Sequence, residues 1–247
     1  MNKIVNGFNE IKFFLRKDNT NNLINLSNYI DYHFIKNKTS QKSFINNICI
    51  ESNSASFPAF RDIFRDENYK TNLNGENLVV MDCGANIGCS AIYFATSYNN
   101  VKRIYCYEPV KENIEYLKKN INTNNLKDKI IIIQKGISNK NELVNFTIEG
   151  VTSHKTKGKG IKVELLNFDN EIKKIINKEG KLDLIKLDIE GAEKEILKKS
   201  KYLNKVKNLI IEIHPENKSE EIQMMESLQR NFKSIKKITT FVYYCNN

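Results

Sequence analysis

The sequence predicts an α/β fold: a doubly wound, mostly parallel seven-stranded sheet with a C-terminal antiparallel hairpin and an N-terminal helical cap. Three observations support this prediction. From Leu78 onwards, short apolar runs alternate with amphipathic stretches; the chain closes with a strand, a break and a second strand; and 247 residues suit one such domain. Strands that alternate with helices need crossover connections, which give a parallel sheet with helices on both faces.

Hydrophobic periodicity assigns the elements in order. Apolar residues at helical spacing around 4–15 and 23–30 predict helices in an N-terminal cap, residues 1–75, which precedes the main domain, residues 76–247. The predicted strands of the main domain are 78–82, 103–107, 130–134, 182–188 and 207–213, with a final strand pair in 233–245. The predicted helices are 89–98, 110–123, 167–178 and 191–202. Alternating residues in 142–149 and 161–166 predict a hairpin insertion over 142–166.

The composition narrows the class of protein. No apolar run approaches the roughly 20 residues that a membrane helix needs, so we expect no membrane span. The five cysteines lack the paired spacing of a disulfide scaffold, and we therefore expect a reducing, cytoplasmic location. The net charge of +10 would suit a nucleic-acid partner, but it is spread along the chain without a basic arm. A nucleic-acid partner is not favoured.

A glycine turn follows the first strand of the main domain. Residues 79–88 read V-V-M-D-C-G-A-N-I-G: a buried strand ends at Asp82, and a helix begins near Gly88. Ligands of open α/β sheets bind at such strand-to-helix turns, and Gly84 and Gly88 would let the backbone approach a ligand closely. The spacing G-x-x-x-G matches neither the dinucleotide fingerprint nor a phosphate loop. A glycine turn without a ligand remains the alternative.

The ends of the next two strands supply further candidates. Glu108 ends the second strand, where a carboxylate can accept hydrogen bonds from both hydroxyls of a ribose, and Pro109 fixes φ at the following helix start. The third strand is predicted to end with Q-K-G-I-S at 134–138, where Ile137 could pack on an adenine ring.

Three motifs, D-C-G-A-N-I-G, Y-E-P and L-I-K-L-D-I-E-G-A-E, together resemble the FkbM family of S-adenosylmethionine-dependent methyltransferases, over about residues 78–215. The resemblance implies a Rossmann-like fold, S-adenosylmethionine as cofactor, and O-methylation of sugars or small natural products. It also implies that the glycine turn lines the methionine part, that Glu108 holds the ribose and that the 137–138 pair lies near the adenine. The cofactor-binding candidates are Asp82, Gly84, Ala85, Asn86, Gly88, Ser90, Glu108, Pro109, Ile137, Ser138 and Asp188.

Charged residues also end the fourth and fifth strands. Lys186, Asp188 and Glu190 are two residues apart and share a face if strand geometry persists. Lysine is unusual in a central parallel strand, and its buried charge must be paired, with Asp188 or Glu190 as partner. Glu212 and His214 repeat the pattern on the next strand. We therefore expect the two clusters to meet at one edge of the sheet.

These clusters provide the catalytic candidates Lys186, Asp188, Glu190 and His214, and Glu212 as a substrate contact. An alcohol acceptor must lose a proton, and His214 titrates near neutrality, so it is the favoured base; a hydrogen-bonded strand-end histidine is the alternative. Asp188 could act instead if burial raised its pKa. A divalent metal held by the two clusters is a third option, which is not favoured because the spacing is not diagnostic.

A lysine-rich segment connects the predicted hairpin strands. Lys155, Lys157 and Lys159 form either a solvated hairpin tip or a flap that contacts a phosphate on the acceptor. The predicted function is O-methylation of a hydroxyl on a sugar or nucleotide-linked sugar, so the expected partner is a small-molecule or glycan acceptor. The alternatives are an RNA or DNA methyltransferase, and an inactive, cofactor-binding partner protein.

Overall fold

The computed structural model describes residues 40–53, 56–149, 152–156 and 160–247. The strands, in chain order, are β1 (Gln41–Ile45), β2 (Ile48–Ser52), β3 (Leu78–Cys83), β4 (Val101–Tyr107), β5 (Ile130–Ile133), β6 (Gly136–Ser138), β7 (Glu142–Glu149), β8 (Thr152–Thr156), β9 (Ile161–Asn167), β10 (Leu184–Leu187), β11 (Asn208–Glu212), β12 (Ser234–Lys237) and β13 (Val242–Asn246). The helices are α1 (Phe57–Phe60), α2 (Cys89–Ser97), α3 (Lys111–Thr123), α4 (Phe168–Glu179), α5 (Glu193–Lys199) and α6 (Lys218–Asn231).

The central sheet has seven strands in the order β12-β13-β11-β10-β3-β4-β5. Strand β13 runs antiparallel to both of its neighbours, whereas the pairs from β11 to β5 are all parallel. The predicted doubly wound sheet with an antiparallel C-terminal hairpin is confirmed. Strand order reverses at β3, because the chain proceeds to β4 and β5 on one side and later to β10 and β11 on the other.

The core has one apolar layer on each face of this sheet. Alternate residues of the central strands point to opposite faces, so Val80 and Ile104 pack with α2 and α3, whereas Met81 and Ile185 pack with α4, α5 and α6. All six residues of β3 and all four of β10 are buried. Because these strands are packed on both faces, the positions of their carboxyl ends are fixed. The candidate site lies at those ends.

The insertion forms a second, four-stranded sheet in the order β6-β9-β7-β8. Strands β7 and β9 pair antiparallel, as the alternation in 142–149 and 161–166 predicts. Two details differ from the prediction. Residues 152–156 form a strand instead of a loop, and Gly136–Ser138 pairs with β9, so Ile137 and Ser138 do not end the third strand. The chain turns after Ile133 and leaves the central sheet, a change of partner that local periodicity does not reveal.

The described part of the N-terminal segment begins with a β-hairpin, whereas the sequence predicts a helical cap. The periodic stretches 4–15 and 23–30 lie outside the described residues, while residues 40–52 form the hairpin β1-β2. A side chain of α3 and that of the residue after it hold this hairpin: Asn120 bonds the backbone N–H and C=O of Glu51 at 2.7 and 2.9 Å, and Asn124 bonds those of Cys49 at 3.0 and 2.7 Å. The two carboxamides bond to the edge of β2 as the backbone of a neighbouring strand would. The sequence pattern did not predict this tertiary contact.

A short helix then brings the N-terminal segment over the sheet. Helix α1 continues as a π-helical turn, Arg61–Arg65, in which Phe64 packs on Phe60 and also contacts Tyr93 of α2. This aromatic contact directs residues 56–69 towards the carboxyl ends of the strands. Within the described ranges, no helix combines the length and apolar character needed to cross a membrane. All five cysteines are free thiols.

Candidate active site

A cavity of about 450 Å³ lies at the carboxyl ends of β3, β4, β10 and β11. Its walls come from the turn after β3, from Glu108 and Pro109 after β4, from the loop after β10, and from residues 56–69. This is the point at which strand order reverses, where ligands of open α/β sheets bind. The cavity therefore lies where the motifs predict a ligand site.

The turn after β3, residues 84–88, is fixed by backbone contacts; we call it the glycine turn. The amides of Gly84 and Ala85 donate to the carbonyl of Tyr107 at 2.9 and 3.0 Å. Gly84 has φ +81°, and a Cβ there would overlap the carbonyl oxygen of Asp188. At Gly88, with φ +95°, a Cβ would press on the side chain of Leu117. Both glycines are thus required by packing within the protein, rather than by ligand approach alone.

Asn86 and Glu108 form the polar wall beside this turn. The Asn86 amide donates to Glu108 Oε2 at 2.9 Å, while the Val110 amide and Asn113 Nδ2 donate to Oε1 at 2.9 and 3.1 Å. Burial raises the pKa of Glu108, although these three donors act against the rise. Asn86 Oδ1 is buried without a hydrogen-bond partner in the described structure. Buried acceptors are normally hydrogen-bonded, so this oxygen at the cavity wall is positioned to accept a hydrogen bond from a ligand.

The other cofactor candidates divide into two groups. Ser90, Pro109 and Ile137 line the cavity. Asp82, Gly88 and Ser138 lie outside its lining: the hydroxyl of Ser138 points to Glu142 at 3.3 Å, and Asp82 lies beneath the floor, where it accepts a hydrogen bond from Ser90 Oγ at 2.6 Å.

Lys186 is an ammonium buried at the base of the cavity. Its Nζ donates to the carbonyl of Gly84 at 2.7 Å and lies 3.2 Å from Asp188 Oδ2 and 3.6 Å from Asp82 Oδ1. Burial alone lowers the pKa of Lys186, but Asp188, Tyr69 and Asp82 more than compensate, and the net pKa is well above its usual value. Lys186 is therefore charged, and its partner in the D-I-E segment is Asp188.

The loop after β10 is held by Glu193, the first residue of α5. This fully buried carboxylate accepts hydrogen bonds from the amides of Ile189 at 2.7 Å and Gly191 at 2.8 Å. Glu190 and Gly191 have φ of +56° and +104°, so the loop doubles back before α5 begins. The second glutamate of the D-I-E-G-A-E motif thus shapes the loop that presents Asp188 and Glu190 to the cavity.

His214 lies behind this loop and does not line the cavity. Its Nδ1 is 3.3 Å from Glu193 Oε1, and its Nε2 is 3.6 Å from Glu190 Oε2 and 3.8 Å from Glu212 Oε1. Burial lowers the pKa of His214, but the hydrogen bond and charge of Glu193, with the neighbouring carboxylates, raise it to about 9. The imidazole is therefore protonated at neutral pH.

Three carboxyl groups, Asp188, Glu190 and Glu212, line the cavity beside His214; we call them the carboxylate cluster. Burial, and then the charge of Asp188, raise the pKa of Glu212 to about 7. Burial also raises the pKa of Glu190. Asp188, Glu190 and His214 each offer one potential metal-ligand atom, and these three atoms lie within 4.8 Å of one another. The two predicted clusters do meet.

Tyr69 is a site residue that the sequence did not reveal. It belongs to the N-terminal segment, yet its hydroxyl contacts Asp188 Oδ2 at 3.4 Å, and its ring centroid is 5.9 Å from Lys186 Nζ. The ring stacks on Phe94 at 6.3 Å. Nothing in the local sequence around residue 69 signals this contact, because it depends on how α1 docks on α2.

The lysine-rich segment contributes no described side chain to the site. The backbone of Lys155 lies in β8, paired with β7, whereas Lys157 and Lys159 lie outside the described residues. The proposed flap therefore stays a prediction.

Comparison with known proteins identifies the family. Residues 82–240 match the model of the methyltransferase FkbM domain. The chain belongs to this family. A relative from Sordaria araneosa, methyltransferase sdnD, is 25% identical over 189 residues, which are 62% of this chain and 73% of that protein.

A solved FkbM methyltransferase from Methylobacillus flagellatus shares the fold, with a TM-score of 0.51 and 14% sequence identity. The similarity covers 98% of this chain but only 60% of the solved chain. This FkbM protein is therefore a methyltransferase with the Rossmann-like sheet of its family.

Proposed function

We propose that this FkbM protein is an S-adenosylmethionine-dependent O-methyltransferase that acts on a hydroxyl of a sugar or nucleotide-linked sugar. The observation that carries the proposal is the cavity wall of Asn86 and Glu108, at the switch point of the sheet. Asn86 Oδ1 is a buried acceptor that meets no donor among the described residues, and Glu108 is a buried carboxylate at the tip of the second strand. Both features suit a ligand that donates hydrogen bonds, as a ribose and an α-amino group do.

The lining residues fit this cofactor in their chemistry. Glu108 would accept from the ribose hydroxyls, Asn86 and the glycine turn would hold the polar end, and Ile137 would contact the adenine. When bound, the cofactor supplies a methyl group on a positively charged sulfur. The carboxylate cluster favours a positive charge in the same cavity, and Tyr69 and Lys186 restrain Asp188, so the acceptor meets an ordered wall.

We further propose Glu212, rather than His214, as the general base. A base must be unprotonated near neutral pH and reach the acceptor. Glu212 lines the cavity and titrates at about pH 7, whereas His214 has a pKa of about 9 and lies behind the loop. Glu212 would take the hydroxyl proton while the acceptor oxygen bonds to the methyl carbon and the carbon–sulfur bond breaks, leaving a neutral thioether.

A metal is less well supported at the same cluster. One oxygen of Asp188, Oδ2, already contacts both Lys186 and Tyr69, and Nδ1 of His214 already faces Glu193. The Lys186 ammonium, 3.2 Å from Asp188 Oδ2, already offsets part of the negative charge that would attract a divalent cation. Direct proton transfer to Glu212 needs no additional group and is the simpler account.

The proposal is tested by binding and then by transfer. Calorimetry with S-adenosylmethionine should show binding at one site per chain. Labelled-methyl uptake should then be measured with sugars, nucleotide-linked sugars and natural-product glycosides, with and without Mg²⁺, and with tRNA and rRNA as a parallel arm. Uptake by a hydroxyl compound supports the proposal. Cofactor binding without uptake by any acceptor would indicate an inactive partner protein, and uptake only by RNA would contradict the sugar assignment.

A further inference from the structure

The charged groups that line the described cavity are almost all acidic. Five carboxyl groups line it, against one ammonium. These six residues are Asp62, Glu108, Asp188, Glu190, Glu212 and Lys186. The imbalance is the reverse of the whole chain, which carries a net charge of +10. The acidic lining is thus a property of this cavity and does not follow from the composition.

The one lining ammonium is not available to bind an anionic ligand. The side chain of Lys186 is 3% exposed, and its Nζ is surrounded by the Gly84 carbonyl, Asp188 and Asp82. An anion could reach it only by displacing Asp188. Two other described cations do not change this picture: Arg61 pairs with Asp62 at 2.8 Å, and His214 faces Glu193. Each is already matched to a carboxylate.

The proposed cofactor accounts for only part of this charge. Glu108 would be occupied by the ribose, and the sulfonium would offset one carboxylate. Glu190 and Glu212 remain for the acceptor and share the one charge of His214, whose Nε2 lies 3.6 and 3.8 Å from them. Asp62, from the N-terminal segment ahead of the residues that match the family model, lines the cavity as one half of an ion pair with Arg61. An anion in such a wall meets like charges across a few ångströms, where solvent screens them weakly.

We infer that the acceptor group that enters this cavity is uncharged or cationic, and that it carries no phosphate or carboxylate inside the cavity. This inference rests on the proposed function and narrows it. A hydroxyl or amine fits the acidic wall as a hydrogen-bond donor, whereas an anionic group is rejected by repulsion. If the acceptor is nucleotide-linked, its diphosphate lies outside the described cavity.

Cofactor-derived probes test the inference without the natural acceptor. Three S-adenosylmethionine analogues would keep the sulfonium and carry, in place of the methyl group, a short alkyl arm ending in an ammonium, a hydroxyl or a phosphonate. Calorimetry at pH 8 should rank the phosphonate arm at least about tenfold weaker than the other two, a difference of about 1.4 kcal/mol. In the Glu212→Gln variant this gap should shrink, whereas Glu226→Gln, on the exposed face of α6, should leave it unchanged.

The outcomes separate the two proposals. If S-adenosylhomocysteine binds but the phosphonate analogue binds as tightly as the ammonium analogue, with or without Mg²⁺, the acceptor inference is wrong and the proposed function stands. If S-adenosylhomocysteine itself does not bind, the proposed function fails and the inference fails with it. A gap that Glu212→Gln does not change would also overturn the inference, because the acidic wall would not be its cause.

Discussion

The glycine turn with Glu108 and the carboxylate cluster face each other across one cavity, but they are stabilised by different forces. On the glycine-turn side, three neutral donors satisfy Glu108, and Asn86 Oδ1 has no hydrogen-bond partner among the described residues, so the geometry is fixed before a ligand arrives. On the cluster side, charges crowd together and the pKa values of Glu212 and His214 move to about 7 and 9. The first side is suited to binding, and the second to proton transfer.

The two sides touch at Gly84, and this contact gives the largest expected effect. In Gly84→Ala the new Cβ would overlap the Asp188 carbonyl, in addition to the strain of a left-handed backbone. We expect loss of cofactor binding and of more than about 3 kcal/mol of stability. Gly180→Ala is the matched control, because Gly180 has nearly the same φ, +80°, with nothing nearby. That variant should lose about 1–2 kcal/mol.

Urea unfolding of both alanine variants measures this difference. If Gly84→Ala costs no more than Gly180→Ala and still binds S-adenosylmethionine, then the turn is not packed against the 188 loop as described.

Glu212→Gln separates chemistry from binding. A neutral amide cannot accept the acceptor proton, so turnover should fall roughly 100-fold or more while cofactor affinity stays within about twofold. The wild-type rate should rise with pH through about 7, as Glu212 loses its proton, and the variant should lack this rise. Single-turnover rates from pH 5.5 to 8.5 provide the measurement. A variant that retains the wild-type rate and its pH dependence would remove Glu212 from the role of base.

The charge of His214 on the carboxylate-cluster side can be tested by the pH dependence of protein stability. Its pKa is raised from 6.5 to about 9, so its protonated form stabilises the fold fully below pH 6.5, and this contribution is lost as pH rises through 9. The free-energy advantage of the wild type over His214→Gln should therefore shrink between pH 6.5 and 9, by about 1–2 kcal/mol after allowance for partial exposure. Urea unfolding at three pH values measures it. A constant difference would contradict the assigned charge.

Tyr69→Phe should have the smallest effect. The hydroxyl contact to Asp188, at 3.4 Å, is long, and its loss should lower turnover only several-fold while cofactor affinity is unchanged. Tyr98→Phe is a suitable control, since the Tyr98 hydroxyl bonds to the backbone of Thr71 instead. Kinetic constants for both variants would decide the point. An equal loss of turnover in the two variants would indicate a structural role for Tyr69.

The central sheet could be predicted from the sequence because its signal is local. Each apolar run, such as 78–82 or 207–213, corresponds to a strand within a few residues, and the motif residues follow strand ends. The docking of β2 on Asn120 and Asn124 could not be predicted, because it depends on side chains about 70 residues away in sequence. Helix α6 was also missed, although the Asn217 cap and the acidic residues Glu220 and Glu221 in the first turn mark its start.

The candidate site was predictable in its residues and less so in their roles. Lys186, Asp188 and Glu212 meet as their spacing on adjacent strands predicts. His214 looked suitable as a base because its ordinary pKa is near neutrality. In the fold, however, Glu193 turns back from the start of α5 to contact it and raises its pKa. Asp82, Gly88 and Ser138 belong to the predicted motifs, but none of the three lines the described cavity.

The central claim is that the glycine-turn side binds the cofactor, whereas the carboxylate cluster acts in proton transfer. It is tested most directly by calorimetric titration of S-adenosylhomocysteine into the wild type, Glu108→Gln and Glu212→Gln. Glu112→Gln serves as control on the exposed first turn of α3. The account predicts that Glu108→Gln weakens binding at least about tenfold, because an amide cannot match three donors and a ribose at once. Glu212→Gln and Glu112→Gln should bind like the wild type. Equal weakening in Glu108→Gln and Glu212→Gln, or no binding by the wild type, would contradict it.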